Sequence, residues 1–138
     1  MSTHIDNVPK WVRIAVGIVA AINVIFGIMC YIDMHILYHA AIGVDLTNSF
    51  IKNANSEFAS RNLAIGIALG FVTIIKGAPE ALVILTIVRA LIEIQTIILS
   101  IIQGNIDAML LISGAFLVLE IFIVKTLIGV IKKEEAGG

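Results

Sequence analysis

Four long apolar stretches separated by polar links dominate this chain: about 11 to 33, 59 to 76, 80 to 102 and 107 to 131. Each comes close to or exceeds the roughly 20 helical residues that cover a bilayer's hydrocarbon core at about 1.5 Å per residue. In hydrocarbon the backbone has to satisfy its own hydrogen bonds. Runs of this length without strict alternation do so as helices, whereas barrel strands are shorter and alternate. The pattern predicts an all-α fold, an integral membrane bundle of four transmembrane helices forming one domain over residues 1–138.

The links sharpen the picture. Lys76, Gly77, Ala78, Pro79 and Glu80 place a helix stop directly before a start, with Gly77 suited to a C-cap and Pro79 to the first turn of the next helix. Gln103, Gly104 and Asn105 repeat the theme, with Asn105 or Asp107 as the next N-cap. Links this short make the second, third and fourth spans antiparallel neighbours. The first link, 34 to 58, is longer. Its run 34 to 44 mixes Met34, Ile36, Leu37, Ala40, Ala41 and Ile42 with histidines, which predicts a short helix lying at the membrane interface. Asn53, Asn55, Ser56 and Glu57 read as a turn and start signal for the second span.

Composition agrees with this solvent. In 138 residues, 59% are hydrophobic, 14% are charged and the net charge is -1. A mean hydropathy of +1.06 is far above that of soluble domains of similar length. No basic field is available to attract nucleic acid, so nucleic-acid binding is excluded as a function class. The single cysteine, Cys30, excludes an intrachain disulfide and a cysteine-based zinc site and reads as packing. The apolar run after Lys10, Trp11 and Arg13 is too long for a signal peptide's core and is read as a retained first span.

Orientation follows from the excess of Lys and Arg expected on the cytoplasmic side. Lys10, Arg13, Lys76, Lys132 and Lys133 fall on one side, with Lys125 near enough to snorkel towards it. Lys52 and Arg61 fall on the other. Both termini are therefore expected in the cytoplasm of a multi-pass cell-membrane protein, with 34–58 outside. Trp11, Tyr31 and Tyr38 lie near the predicted interfaces, where amphipathic rings prefer to sit.

Within the spans, small and polar residues carry the information. The first has Ala20, Asn23, Gly27 and Cys30 at spacings of three and four. The second has Arg61, Asn62, Gly66, Gly70 and Thr73, with the Gly66-x-x-x-Gly70 spacing that lets another backbone approach. The third carries Thr86, Arg89, Glu93, Thr96, Ser100 and Gln103 along one seam, and the fourth Ser113, Gly114 and Glu120. Gly27, Gly66, Gly70 and Gly114 are the expected packing glycines.

An unpaired charge at the bilayer centre costs a few kcal/mol, so the embedded charges should pair. Counting about 1.5 Å per residue along antiparallel spans puts Arg89 and Glu120 at a similar depth, and Glu93 with Asn23 about a turn further out. The expected cluster is Asn23, Arg61, Arg89, Glu93 and Glu120. It pairs Arg89 with Glu120 and Glu93 with Asn23, and Arg61 reaches down from the outer edge. Two readings stand side by side. The cluster fixes helix register, or it lines a polar pocket or proton path in which one carboxyl, Glu93, is surplus.

His35 and His39, four residues apart with Asp33, Tyr38 and Asp45 nearby, are weak metal candidates, because the spacing is common and no third ligand is fixed. The bland alternative is an amphipathic surface. No nucleophile with a base, phosphate loop or dinucleotide fingerprint is present, which disfavours a cofactor enzyme, and no cofactor is expected.

The four spans, the long first outer link, the stretch Arg61-Asn-Leu-Ala-Ile-Gly66 leading into Gly70, and Val88-Arg89-Ala90-Leu91 resemble the DoxX-like group of small bacterial four-helix membrane proteins. The resemblance implies a membrane-embedded helical bundle, for many members without an established activity. Glu93, Glu120 and the isoleucine-rich spans are not part of it. Three function classes follow in order. The first is a non-catalytic membrane protein acting by helix packing with partners or copies of itself. The second is an oligomeric ion or small-molecule pathway along the polar stripe. The third is a membrane enzyme or accessory subunit binding a lipid or quinone.

Overall fold

In the computed structural model, the described residues are 8–32, 48–74, 79–102, 104 and 108–137. They form four α-helices: α1 (Lys10–Ile32), α2 (Ser49–Ile74), α3 (Pro79–Ile102) and α4 (Ala108–Gly137). All four are long and apolar enough to cross a membrane, and no strand occurs among the described residues. The expected interfacial helix within 34–44, with His35 and His39, lies outside the described residues, as do Gly77, Gln103, Asn105 and Asp107.

Local chemistry sets most of the ends. The Pro9 carbonyl accepts from the amides of Val12 and Arg13 at 3.0 and 3.2 Å and opens α1. Pro79 occupies the first position of α3, where its missing N–H would have had no helical partner, and Glu80 follows in the first turn. After α3, Gly104 donates to the Ile101 carbonyl at 3.1 Å with φ +72°, a left-handed conformation that glycine adopts without steric penalty.

The second helix departs from expectation. Residues 53–57 are not a turn, because α2 begins at Ser49, where the Asn48 carbonyl accepts from Lys52 N at 3.1 Å. Within that helix the side chain of Asn55 has a specific partner. Its amide donates to the Cys30 carbonyl at 2.8 Å, satisfying one of the last carbonyls of α1, which have no partner within their own helix. At its other extreme the chain continues as α4 through Lys132, Lys133 and Glu135, all exposed.

The chain divides into two compact units. In the first, Ala15–Phe71, α1 and α2 run antiparallel with their backbones in close approach. A Cβ placed on Gly27 would lie 3.0 Å from both the Ala59 carbonyl oxygen and Leu63 N, and one on Gly66 would lie 2.8 Å from Val24 N and 2.9 Å from the Ala20 carbonyl oxygen. At Gly70 the corresponding contact is an ordinary 3.9 Å to Ala20 Cβ, so Gly27 and Gly66 form the tight crossing. Around it Phe26 and Phe58 meet edge to face at 5.9 Å, and Tyr31 and Ser60 share a hydrogen bond. Because Ser60 already donates to the Ser56 carbonyl, Tyr31 is the donor.

The second unit joins the described part of Met1–Ile14 to Val72–Gly138. Here α3 packs on α4. Pro79, Leu82, Thr86, Arg89 and Glu93 recur every three or four residues as the buried face of α3, while Ser113, Glu120, Ile123 and Leu127 are buried on α4. A Cβ on Gly114 would meet nothing within 4 Å among the described residues, so no close crossing involves it there.

The distribution of polarity inverts that of a soluble protein. Ile18, Ile22, Ile25, Met29 and Ile32 form an exposed stripe on α1, whereas Ala20, Asn23 and Cys30 are buried. On α3 and α4, Ile84, Leu91, Ile98, Ile121 and Phe122 are exposed while Arg89, Glu93 and Glu120 are buried. In water this arrangement would leave apolar area uncovered along every helix and remove charges from their solvent.

Candidate functional site

The site is built from two helix faces of the second unit. On α3, Thr86, Arg89 and Glu93 follow one another at spacings of three and four, which stacks their side chains on a single seam. Thr86 Oγ1 donates to the Leu82 carbonyl at 2.7 Å and is satisfied within its own helix. Arg89 Nη2 pairs with Glu93 Oε1 one turn ahead, and Arg89 Nη1 lies 3.8 Å from Glu120 Oε1 on α4. Phe116, one turn before Glu120, presents its ring 5.9 Å from the guanidinium carbon, within cation–π range.

Arg89, Glu93 and Glu120 are the buried charged residues among those described. Glu120 is the most enclosed at 1% exposure. Neither of its oxygens accepts a hydrogen bond among the described residues, and Arg89 Nε likewise makes none. One guanidinium thus serves two carboxylates and serves them unequally. Glu93 holds the direct pair, and Glu120 is attracted across a longer gap. The surplus acid is Glu120 rather than the Glu93 expected from the sequence.

That division defines the available chemistry. Arg89 fastens α3 to α4 through an attraction that gains strength in a medium of low dielectric constant. Glu120 retains two enclosed acceptor oxygens that take no hydrogen bond among the described residues, and its charge is the least compensated of the three. Beside it α3 and α4 form an apolar groove of about 450 Å³ whose lining includes Glu120 and Lys125.

Asn23 and Arg61 belong to the first unit and have their own partners there. The Asn23 amide donates to the Val19 carbonyl at 2.8 Å, and the Arg61 guanidinium, on an exposed residue, lies 5.9 Å from the centre of the Phe58 ring. Farther along α3, Thr96 is exposed with its hydroxyl on the Ile92 carbonyl at 3.0 Å, and Ser100 is half-buried, so among the described residues the stripe is fully buried from Thr86 to Glu93. No three His, Cys, Asp or Glu residues stand together as metal ligands among the described residues.

Two contacts of the structure go beyond what the sequence predicts. Phe116 carried a usable signal, the spacing of four to Glu120 that places both on one helix face. Asn55 carried none, since its role depends on the end of another helix. Comparison with known proteins supplies no family, because no family model, curated protein or solved structure matches the chain.

Proposed function

We propose that this chain is a multi-pass cell-membrane protein with both termini in the cytoplasm, acting without catalysis through helix packing, either with partner membrane proteins or with copies of itself. One observation carries the reading. The guanidinium of Arg89, paired with Glu93 on α3, also lies 3.8 Å from Glu120 on α4, as it would in a fastening between the two helices. In hydrocarbon no hydrophobic force draws helices together, so close backbone crossings and polar attachments supply the association. The Gly27–Gly66 crossing of α1 with α2 is the same device without charge. Lengths agree with spanning, since 23 residues of α1 and 24 of α3 extend about 35 Å against a hydrocarbon core of about 30 Å. A bundle of this kind is also what the DoxX-like resemblance implies.

The second reading, a proton or ion pathway through an oligomer, is favoured by the orphan oxygens of Glu120. Native mass spectrometry of protein gently released from its membrane, combined with flux measured in reconstituted vesicles, separates the two. Packing predicts a discrete complex, with flux no greater than in protein-free vesicles. Sustained flux that Glu120→Gln abolishes in a protein still folded would replace packing with the pathway.

A further inference from the structure

We infer that two copies of this chain associate side by side through the exposed face of α3, with Gln95 of each copy hydrogen-bonded to Gln95 of the other. A recurring arrangement satisfies uncharged polar side chains within the spans. Asn23, Asn62, Thr86, Thr96 and Thr126 each donate to the carbonyl four residues back in their own helix. Gln95 departs from it, because its carboxamide is exposed and makes no hydrogen bond among the described residues. It lies about 10 Å along α3 from Ile102, within the hydrocarbon of a membrane-spanning helix. Side chains on a helix lean towards its N-terminus, which turns Gln95 away from the nearer membrane surface. A carboxamide left there without a partner is costly, and lipid chains offer it none.

The residues around Gln95 form a helix-pairing seam. Ile84, Val88, Leu91, Gln95, Ile98 and Ile102 recur at alternating spacings of four and three, the heptad rhythm of a coiled-coil contact, and all are exposed. Ile84, Val88, Leu91 and Gln95 each stand two positions after a member of the buried seam, Leu82, Thr86, Arg89 and Glu93, and so lie about 200° round the helix from it. The seam packed on α4 and the seam bearing Gln95 are on opposite sides of α3, so α4 leaves room for a second helix. Chemistry identifies that helix. Two copies inserted the same way in one bilayer run their α3 helices parallel, and a two-fold axis along the membrane normal brings equivalent residues to equal depth. A carboxamide carries both donors and an acceptor, so Gln95 is complementary to itself and a mutual pair satisfies both copies at once. A different protein would have to present a donor and an acceptor at this one depth, whereas a second copy does so by symmetry. The aliphatic members then pack around the polar pair, which fixes the register.

This interface deepens the packing reading proposed above and rests on it. The experiment is disulfide cross-linking of the full-length protein, purified and reconstituted in phosphatidylcholine vesicles, in a Cys30→Ala background that leaves Gln95 intact. Ile98→Cys is expected to give a disulfide-linked dimer, whereas Ile25→Cys on α1 and Ile121→Cys on α4, exposed but off the seam, stay largely monomeric. Resonance energy transfer between copies labelled at Lys133→Cys, followed as added lipid dilutes the protein, then reads the affinity. Gln95→Leu is expected to weaken association about tenfold, because leucine gains no hydrophobic driving force on leaving lipid for a helix surface, and Gln95→Asn to retain more of it. Equal cross-linking at all three positions, undiminished energy transfer in Gln95→Leu, or no energy transfer with Gln95 in place would overturn the interface. Any of these results alongside a discrete complex in native mass spectrometry removes this interface alone and leaves the packing reading standing; the absence of any complex from gently released membranes removes that reading itself.

Discussion

Arg89 Nη1 lies 3.8 Å from Glu120 Oε1 across the α3–α4 contact, while its other terminal nitrogen pairs with Glu93 on α3 itself. The guanidinium thus works along one helix and between two. Only the second of these attachments holds separate helices together. Neutralising Glu93 removes a partner that α3 supplies to itself, whereas neutralising Glu120 removes the link to α4. Glu120→Gln is therefore expected to loosen α3 from α4 more than Glu93→Gln does.

The α1–α2 crossing gives a test free of charge effects. A methyl on Gly66 would sit 2.8 Å from Val24 N, so the two backbones must separate to admit it. Gly66→Ala is expected to lower stability by about 1–3 kcal/mol in thermal or denaturant unfolding. Gly114→Ala, where nothing lies within 4 Å, is expected to be neutral or to gain up to about 1 kcal/mol from helix propensity. Equal effects at the two positions would show that Gly66 is not at a close crossing.

Asn55 donates to the Cys30 carbonyl at 2.8 Å, and both residues are buried. Asn55→Leu leaves that carbonyl without its donor. A loss of about 1–3 kcal/mol is expected, with faster amide hydrogen exchange in the last turn of α1. Unchanged exchange there would detach Asn55 from the end of α1.

Gly104 combines φ +72° with no neighbour within 4 Å of a Cβ among the described residues. Gly104→Ala is therefore expected to lose about 1–2 kcal/mol to the left-handed backbone in thermal unfolding. Gly104→Asn should recover part of that loss, because asparagine tolerates the conformation better than alanine. A fully stable alanine variant would contradict the helix stop described for this glycine.

Membrane orientation is open to cysteine labelling in a Cys30→Ala background. Lys133→Cys is expected to react with an impermeant maleimide only after the cell is opened, and Asn53→Cys to react in intact cells. The reverse order would invert the proposed orientation. Accessibility of both from one side would remove the odd number of crossings between them.

Much of this was legible along the chain. The small and polar seam of α1, Ala20, Asn23, Gly27 and Cys30, is buried in the structure, and it could be read because an isoleucine-rich lipid-facing surface makes every small or polar residue stand out. The Arg89–Glu120 pair was readable for a related reason, since depth in antiparallel spans follows from residue count alone. Thr96 shows where the logic stops. Its hydroxyl is satisfied by the Ile92 carbonyl of its own helix, so a polar residue on the seam has no need to face inward. The start of α2 failed for another reason. Asn53, Asn55, Ser56 and Glu57 have the composition of a turn, but α2 runs through them from Ser49, and the Asn55 amide is satisfied by the carbonyl of Cys30, a partner 25 residues away that no local pattern reveals.

The proposed fastening of two helices by Arg89 and Glu120 is tested by a double-mutant cycle with Arg89→Gln and Glu120→Gln, read as unfolding free energy in bilayer-like discs. Each single variant should lose stability, because it leaves the other group buried with less compensation. The double variant should lose less than the sum of the two, with a coupling of about 1–3 kcal/mol. Strictly additive losses, or two harmless single substitutions, would show that the pair does not hold α3 to α4.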